Sequence, residues 1–158
     1  MNFYLLGYLF TNLAAFLVIV IFSTMTKSDE IEDYAGLSKR SGILAATLLL
    51  ALVSLAGMPP LAGFFGKFTL LMATMQAGFV WLALIAAVNI VISLYYYLLV
   101  AKRVYVDAPH NPSLIPVSQT ARVALILAMA GIIAIGIFQG PFLDAAINAV
   151  KGMSLPLQ

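Results

Sequence analysis

The chain has 158 residues, of which 63% are hydrophobic and 9% charged, with a formal net charge of +2 and no cysteine. A soluble domain carries roughly 25% charged residues, so a free-standing water-soluble domain is excluded. The missing cysteines remove disulfides, Cys-held zinc and thiolate-held iron–sulfur clusters, and the single histidine excludes a two-His metal or haem site.

In chain order, residues 1–26 carry no charge, and a membrane helix needs about 20 apolar residues. Residues 3–26 therefore read as a first span. No positive region precedes it and no small-residue cleavage site ends it, which separates it from a secretory signal. A loop follows with Lys27, Lys39 and Arg40 flanking the acidic run Asp29-Glu30-Ile31-Glu32-Asp33, a solvated or partner-facing surface. Residues 42–77 are interrupted by Gly57, Pro59, Pro60, Gly63 and Gly66. As one helix they would reach about 54 Å against a hydrocarbon core of about 30 Å. They make either two short crossings or one crossing by a broken helix. Gln76-Ala77-Gly78 marks a turn, and residues 79–101 form a further span closed by Lys102 and Arg103. Residues 123–143 form another. Beyond it, Gly140-Pro141 opens a tail in which Leu143, Ile147 and Val150 face away from Asp144, Asn148 and Lys151, the pattern of a short interfacial helix.

The charges decide how often residues 42–77 cross. One crossing gathers Lys27, Lys39, Arg40, Lys102, Arg103 and Arg122 on one side and leaves Lys151 opposite, whereas two crossings split the positives almost evenly. The positive-inside rule favours one crossing. The expected architecture is thus all-α, a polytopic membrane helix bundle with four spans. The second is broken at Pro59-Pro60, and a short C-terminal interfacial helix follows. Residues 1–158 form a single membrane domain, both basic loops are cytoplasmic, and both ends lie outside. Basic residues placed outside the apolar runs set topology and do not make a nucleic-acid face.

Lys67 is the only charge between Arg40 and Lys102. A lysine near the middle of a span costs roughly 2.5–3.5 kcal/mol on insertion scales. A lysine amine can release its proton when water is withdrawn, while a guanidinium stays charged. The break points the same way: Pro59 and Pro60 remove N–H donors, and Gly63 and Gly66 are expected to loosen the chain one turn before Lys67. Irregular backbone at membrane depth is tolerated inside protein or beside a water-filled cavity, and broken helices with ionisable residues recur in ion transporters. Lys67 is therefore the candidate proton relay. The bland alternative is a lysine that snorkels or pairs with a carboxylate.

Asn89 and Ser93 lie one turn apart, with Tyr96 and Tyr97 continuing their side. They are a candidate polar path, with plain interhelical hydrogen bonding as the alternative. Thr11, Asn12 and Gln139 share that ambiguity. Tyr95, Tyr96, Tyr97 and Tyr105 near Lys102 and Arg103 read as an interfacial belt, as does Trp81 at the other end. His110 falls in a proline-flanked loop. No Gly-rich phosphate loop, acidic hydrolase pair or redox centre is recognisable, so no cofactor is expected in this chain.

Three stretches together carry a resemblance: Asp33-Tyr34-Ala35-Gly36-Leu37-Ser38-Lys39-Arg40; Ser54-Leu55-Ala56-Gly57-Met58-Pro59-Pro60-Leu61-Ala62-Gly63-Phe64-Phe65-Gly66-Lys67-Phe68; and Val91-Ile92-Ser93-Leu94-Tyr95-Tyr96-Tyr97-Leu98 with Lys102 and Tyr105. The chain resembles the C-terminal part of the antiporter-like subunit N family of proton-pumping NADH:quinone oxidoreductase, respiratory complex I, a family with mitochondrial (subunit 2) and chloroplast counterparts. The resemblance implies a membrane-arm subunit that moves protons when quinone is reduced elsewhere in the complex, with Lys67 as the last relay before release. It implies NADH, FMN, iron–sulfur clusters and quinone in other subunits. The implied partners are the other membrane-arm subunits, the lipid bilayer and a missing N-terminal half of the same subunit. The bacterial inner membrane is the implied location. Family members are several times longer, so a fragment or a piece of a split subunit is expected. A related cation/proton antiporter or membrane-bound hydrogenase subunit is one alternative, and a structural bundle packing lipid and neighbouring subunits is another.

Overall fold

The uncharged first stretch forms one continuous helix, α1 (Asn2–Thr26), which stops where Lys27 takes a positive φ of 56°. The computed structural model describes residues 2–28, 30–59, 61–109 and 111–137, and all regular structure among them is helical. A 3-10 turn at Ile31–Tyr34 and the short helix α2 (Leu37–Arg40) occupy the first charged loop. Then follow α3 (Gly42–Ala56), α4 (Ala62–Gln76), α5 (Val80–Tyr105) and α6 (Gln119–Ile137). Leu5–Thr26, Val80–Tyr105 and Gln119–Ile137 are long and apolar enough to cross a membrane, and Gly42–Ala56 is a shorter apolar helix. This is a membrane chain.

Local chemistry accounts for the boundaries. The α3 helix ends at Gly57, whose φ of 86° is left-handed. There the Gly57 N–H donates to Ser54 O at 3.0 Å and the Met58 N–H to Val53 O at 3.2 Å. This is the glycine-terminated Schellman arrangement, with proline following as a residue that cannot continue the helix. The helix therefore stops at Gly57, the first of the interrupting residues, and α4 begins at Ala62. Pro59 follows the stop, and Pro60 lies outside the described residues. Gly63 and Gly66, expected to loosen the chain, both sit inside α4. The turn expected at residues 76–78 is present, with Gly78 at a φ of 82°. The α5 helix runs on through Lys102 and Arg103 to Tyr105, beyond the expected 101, because two cations in its last turn suit the negative end of the helix dipole. Ser118 starts α6 by accepting the Ala121 N–H at 3.3 Å, earlier than the expected 123. His110, Gln139 and the tail expected to form an interfacial helix lie outside the described residues.

The α1 helix packs against α3, α4 and α6, while α5 lies along both α3 and α4. Val18, Phe22, Leu44, Leu48 and Leu125 form the largest buried cluster. A second, of Ala14, Ala51, Leu61, Ala128 and Ile132, reaches toward the α3–α4 break. The α5 helix buries only Ala83 and Val104 over its 26 residues, so it stands at the edge of the bundle.

The two basic loops meet at one end. The Gly36 N–H donates to Arg103 O at 3.0 Å and the Ile115 N–H to Arg40 O at 3.1 Å. Arg40 is buried, with Nη1 donating to Asp33 O at 3.0 Å and Nε to Ser113 O at 3.3 Å. Its guanidinium lies 5.6 Å from the centre of the Phe22 ring, and that ring stacks on Tyr34 at 3.9 Å. Arg40 thus ties α1, the first loop and the second loop together.

Candidate functional site

A helix leaves its last four carbonyls without helical partners. In α3 these belong to Val53, Ser54, Leu55 and Ala56. The turn at Gly57 satisfies the first two. The side chain of Lys67 reaches back from α4 for the others: Nζ donates to Leu55 O at 2.6 Å and lies 3.5 Å from Ala56 O. Gly57 has no Cβ, and one built there would come within 3.1 Å of Lys67 Cδ. The same glycine therefore turns the chain and clears a path for the lysine stem. An ammonium in this place meets the negative end of the α3 dipole, equivalent to roughly half an elementary charge. Among the described residues no carboxylate lies within ion-pair distance of Lys67. It is held by backbone carbonyls, which neither bland alternative anticipated.

The start of α4 approaches the end of α3 so closely that a Cβ on Gly63 would collide with the Ser54 backbone carbonyl. Ser54 Oγ accepts the Gly63 N–H at 3.2 Å and lies 3.0 Å from Thr11 Oγ1. Thr11 in turn donates to Gly7 O at 2.7 Å. Its single proton being used there, Thr11 must accept from Ser54. The run is therefore directional, from Gly63 N–H through Ser54 and Thr11 to Gly7 O. Both hydroxyl residues are buried, Ser54 at 0% and Thr11 at 1% exposure.

A cavity of about 110 Å³ lies beside this run, lined by Tyr8, Thr11, Ser54, Leu55, Ala62, Gly63, Lys67 and Tyr97. One water needs about 10–15 Å³ of such space, so there is room for several. An amine with three donors that spends two on carbonyls keeps one for this polar space. The arrangement can hold a proton on Nζ and pass it to water in the cavity.

The expected residues divide. Lys67, Gly57 and Gly63 come together at the junction of α3 and α4, and Gly66 is buried in α4 next to Lys67. Asn89 and Ser93 do not reach it: Ser93 Oγ donates to the Asn89 carbonyl at 2.7 Å on an exposed face of α5, and Tyr96 OH donates to Ser93 at 3.4 Å. Tyr95, Tyr96 and Trp81 are exposed, as an interfacial belt requires. Tyr97 turns inward to the cavity instead. Thr11 and Ser54 carry the site's polar network, although they are 43 residues apart in sequence. Groups of His, Asp or Glu able to hold a metal are absent among the described residues.

Comparison with known proteins gives the family. Residues 1–93 match the family described as "NADH:quinone oxidoreductase/Mrp antiporter, TM". The chain is 44% identical over 151 residues to NADH-quinone oxidoreductase subunit N of Desulfitobacterium hafniense, covering 96% of this chain and 30% of that protein. It is 40% identical over 162 residues to NAD(P)H-quinone oxidoreductase subunit 2 of Nostoc punctiforme, covering 96% and 30% respectively. Its fold is similar to a chain of respiratory complex I from Thermus thermophilus with bound aureothin, at a TM-score of 0.75 and 33% identity, over 87% of this chain and 32% of that one. The chain therefore spans about a third of the length of the relatives it matches. With more than half of its residues inside the family match and a helical arrangement shared with a complex I chain, it belongs to the NADH:quinone oxidoreductase/Mrp antiporter membrane family.

Proposed function

We propose that this chain works in the membrane arm of an NADH:quinone oxidoreductase, where it takes part in moving protons across the membrane as quinone is reduced in other subunits. Lys67 is the intramembrane relay. The observation that carries this reading is the seat of Lys67: its amine lies on the open carbonyls of α3, at the break between two helices, beside a hydroxyl-lined cavity. A charge placed there at the cost of membrane insertion has a use that a packing lysine lacks. In this reading NADH, FMN, iron–sulfur clusters and quinone belong to neighbouring subunits, and this chain supplies only proton-handling side chains.

The topology follows the same reading. The α3 and α4 helices make one discontinuous crossing, so the bundle crosses four times. This is supported by α5 packing along both of them and by the two basic loops meeting at one end. That end faces the cytoplasm by the positive-inside rule.

The test replaces Lys67 in the intact oxidoreductase. Lys67→Met abolishes proton movement while the complex still assembles. Lys67→Arg is also damaging, because a guanidinium keeps its charge. Near-normal protons per NADH with Lys67→Arg would sink the deprotonation step, and near-normal values with Lys67→Met would sink the relay.

A further inference from the structure

Ser54 and Thr11 have no part in the relay as stated, yet they are the buried hydroxyl pair nearest its seat. We infer that they are positioning residues, setting the register of α4 on α3 and so delivering Lys67 to its carbonyls. The inference rests on the relay reading of Lys67.

Three features place them in this role. First, Ser54 serves both sides of the break: its carbonyl accepts the Gly57 N–H that ends α3, and its hydroxyl accepts the Gly63 N–H in the first turn of α4. Second, the contacts form successive rungs. Ser54 meets Gly63, and the next residue, Leu55, meets Lys67. Gly63 and Lys67 are four apart on α4 and share one face. Fixing the first rung therefore fixes where the lysine stem leaves the helix. Third, the Ser54 proton points to Thr11, which anchors it to α1 through Gly7 O. The register is thus held against a third helix, not only between the two broken halves. The absence of a Cβ at Gly63 allows the approach, and the hydroxyl pair defines it.

A purely structural pair would lower the amount of assembled complex and leave each assembled complex working normally. A positioning pair changes what each assembled complex does. The experiment measures protons moved per NADH oxidised, normalised to assembled complex, for Ser54→Ala, Thr11→Val and Thr11→Ser, with Lys67→Met alongside. Protons per NADH are expected to fall at least two- to tenfold in Ser54→Ala, about that factor being the worth of one buried hydrogen bond and this variant losing two, those with Gly63 and Thr11. Thr11→Val, which keeps the shape and loses the acceptor, falls less, and Thr11→Ser restores the wild-type ratio. If Ser54→Ala does not assemble, the Thr11 pair decides: a low ratio in Val rescued in Ser supports the inference. Unchanged ratios in assembled Ser54→Ala or Thr11→Val, with Lys67→Met inactive, overturn the positioning role and leave the relay standing. A normal ratio in Lys67→Met overturns the relay itself and the positioning role with it.

Discussion

Replacing Gly57 separates two costs that the structure assigns to one position. With φ at 86° and ψ at 39°, Gly57 is left-handed, and a side chain forced there costs about 1–2 kcal/mol. The added Cβ would also stand 3.1 Å from Lys67 Cδ, so the lysine stem must yield by a few tenths of an ångström. The atom that moves as a result is Nζ, now 2.6 Å from Leu55 O. Pushing a side chain away from its rotamer adds about 0.5–1.5 kcal/mol. Gly57→Ala should therefore destabilise by about 1.5–3.5 kcal/mol, a fall in midpoint of about 3–14 °C for a chain of this size. Gly57→Asn carries the same Cβ but tolerates the left-handed region, so it should lose mainly the smaller part. Gly42→Ala is the control, because nothing lies within 4 Å of a Cβ there. The measurement is thermal unfolding of the purified protein in detergent. Equal losses in the Ala and Asn variants would remove the backbone argument, and an Ala variant within about 0.5 kcal/mol of wild type would refute both parts.

Three further outcomes are expected. Gly131→Ala drives a methyl group into the Phe10 ring at the α1–α6 contact and should cost about 1–3 kcal/mol as overpacking, with Phe10→Leu in the same chain recovering much of it in the same melt. Arg40→Met leaves the Asp33 and Ser113 carbonyls without their buried donor and should cost about 2–4 kcal/mol, with Arg40→Lys intermediate because one ammonium replaces a forked guanidinium; urea or thermal melts rank the three. Asn89→Ala and Ser93→Ala alter only an exposed face of α5, so each should stay within about 0.5 kcal/mol and leave protons per NADH unchanged; a loss of pumping in either would restore the polar path the sequence suggested.

How far the sequence could be read depended on whether a feature was local or counted over the whole chain. Lys67 stands out in the sequence because a lone charge in an apolar stretch of this length needs no partner to be seen. The parity of the two basic loops is an expectation that comes from counting six positives, and the Gly36–Arg103 and Arg40–Ser113 hydrogen bonds join the same two loops in space. The helix stop was half legible. A glycine followed two residues later by proline is a C-terminal signal; which of the interrupting residues ends the helix is decided by the left-handed turn, and that falls at Gly57.

The site itself was least legible, and the reason is physical. Thr11 and Ser54 look like any hydroxyl residues in an apolar helix, which commonly return their proton to the carbonyl four residues back. Thr11 does this with Gly7 O, as Thr47 does with Ile43 O at 2.8 Å in α3. What distinguishes Thr11 is the second bond, to a serine on another helix. That bond joins α1 to α3, and beside it Gly63 lets α4 pass against the Ser54 carbonyl. The signal was therefore spread over three helices, with the glycine as its visible part. Asn89 and Ser93 show the opposite case. Their one-turn spacing was plain in sequence, yet they sit on the exposed side of α5, where Ser93 returns its proton to the Asn89 backbone carbonyl, while Tyr97 on the same helix faces the cavity. Spacing along a helix says which residues share a face; the packing of the neighbouring helices decides which face meets the lysine.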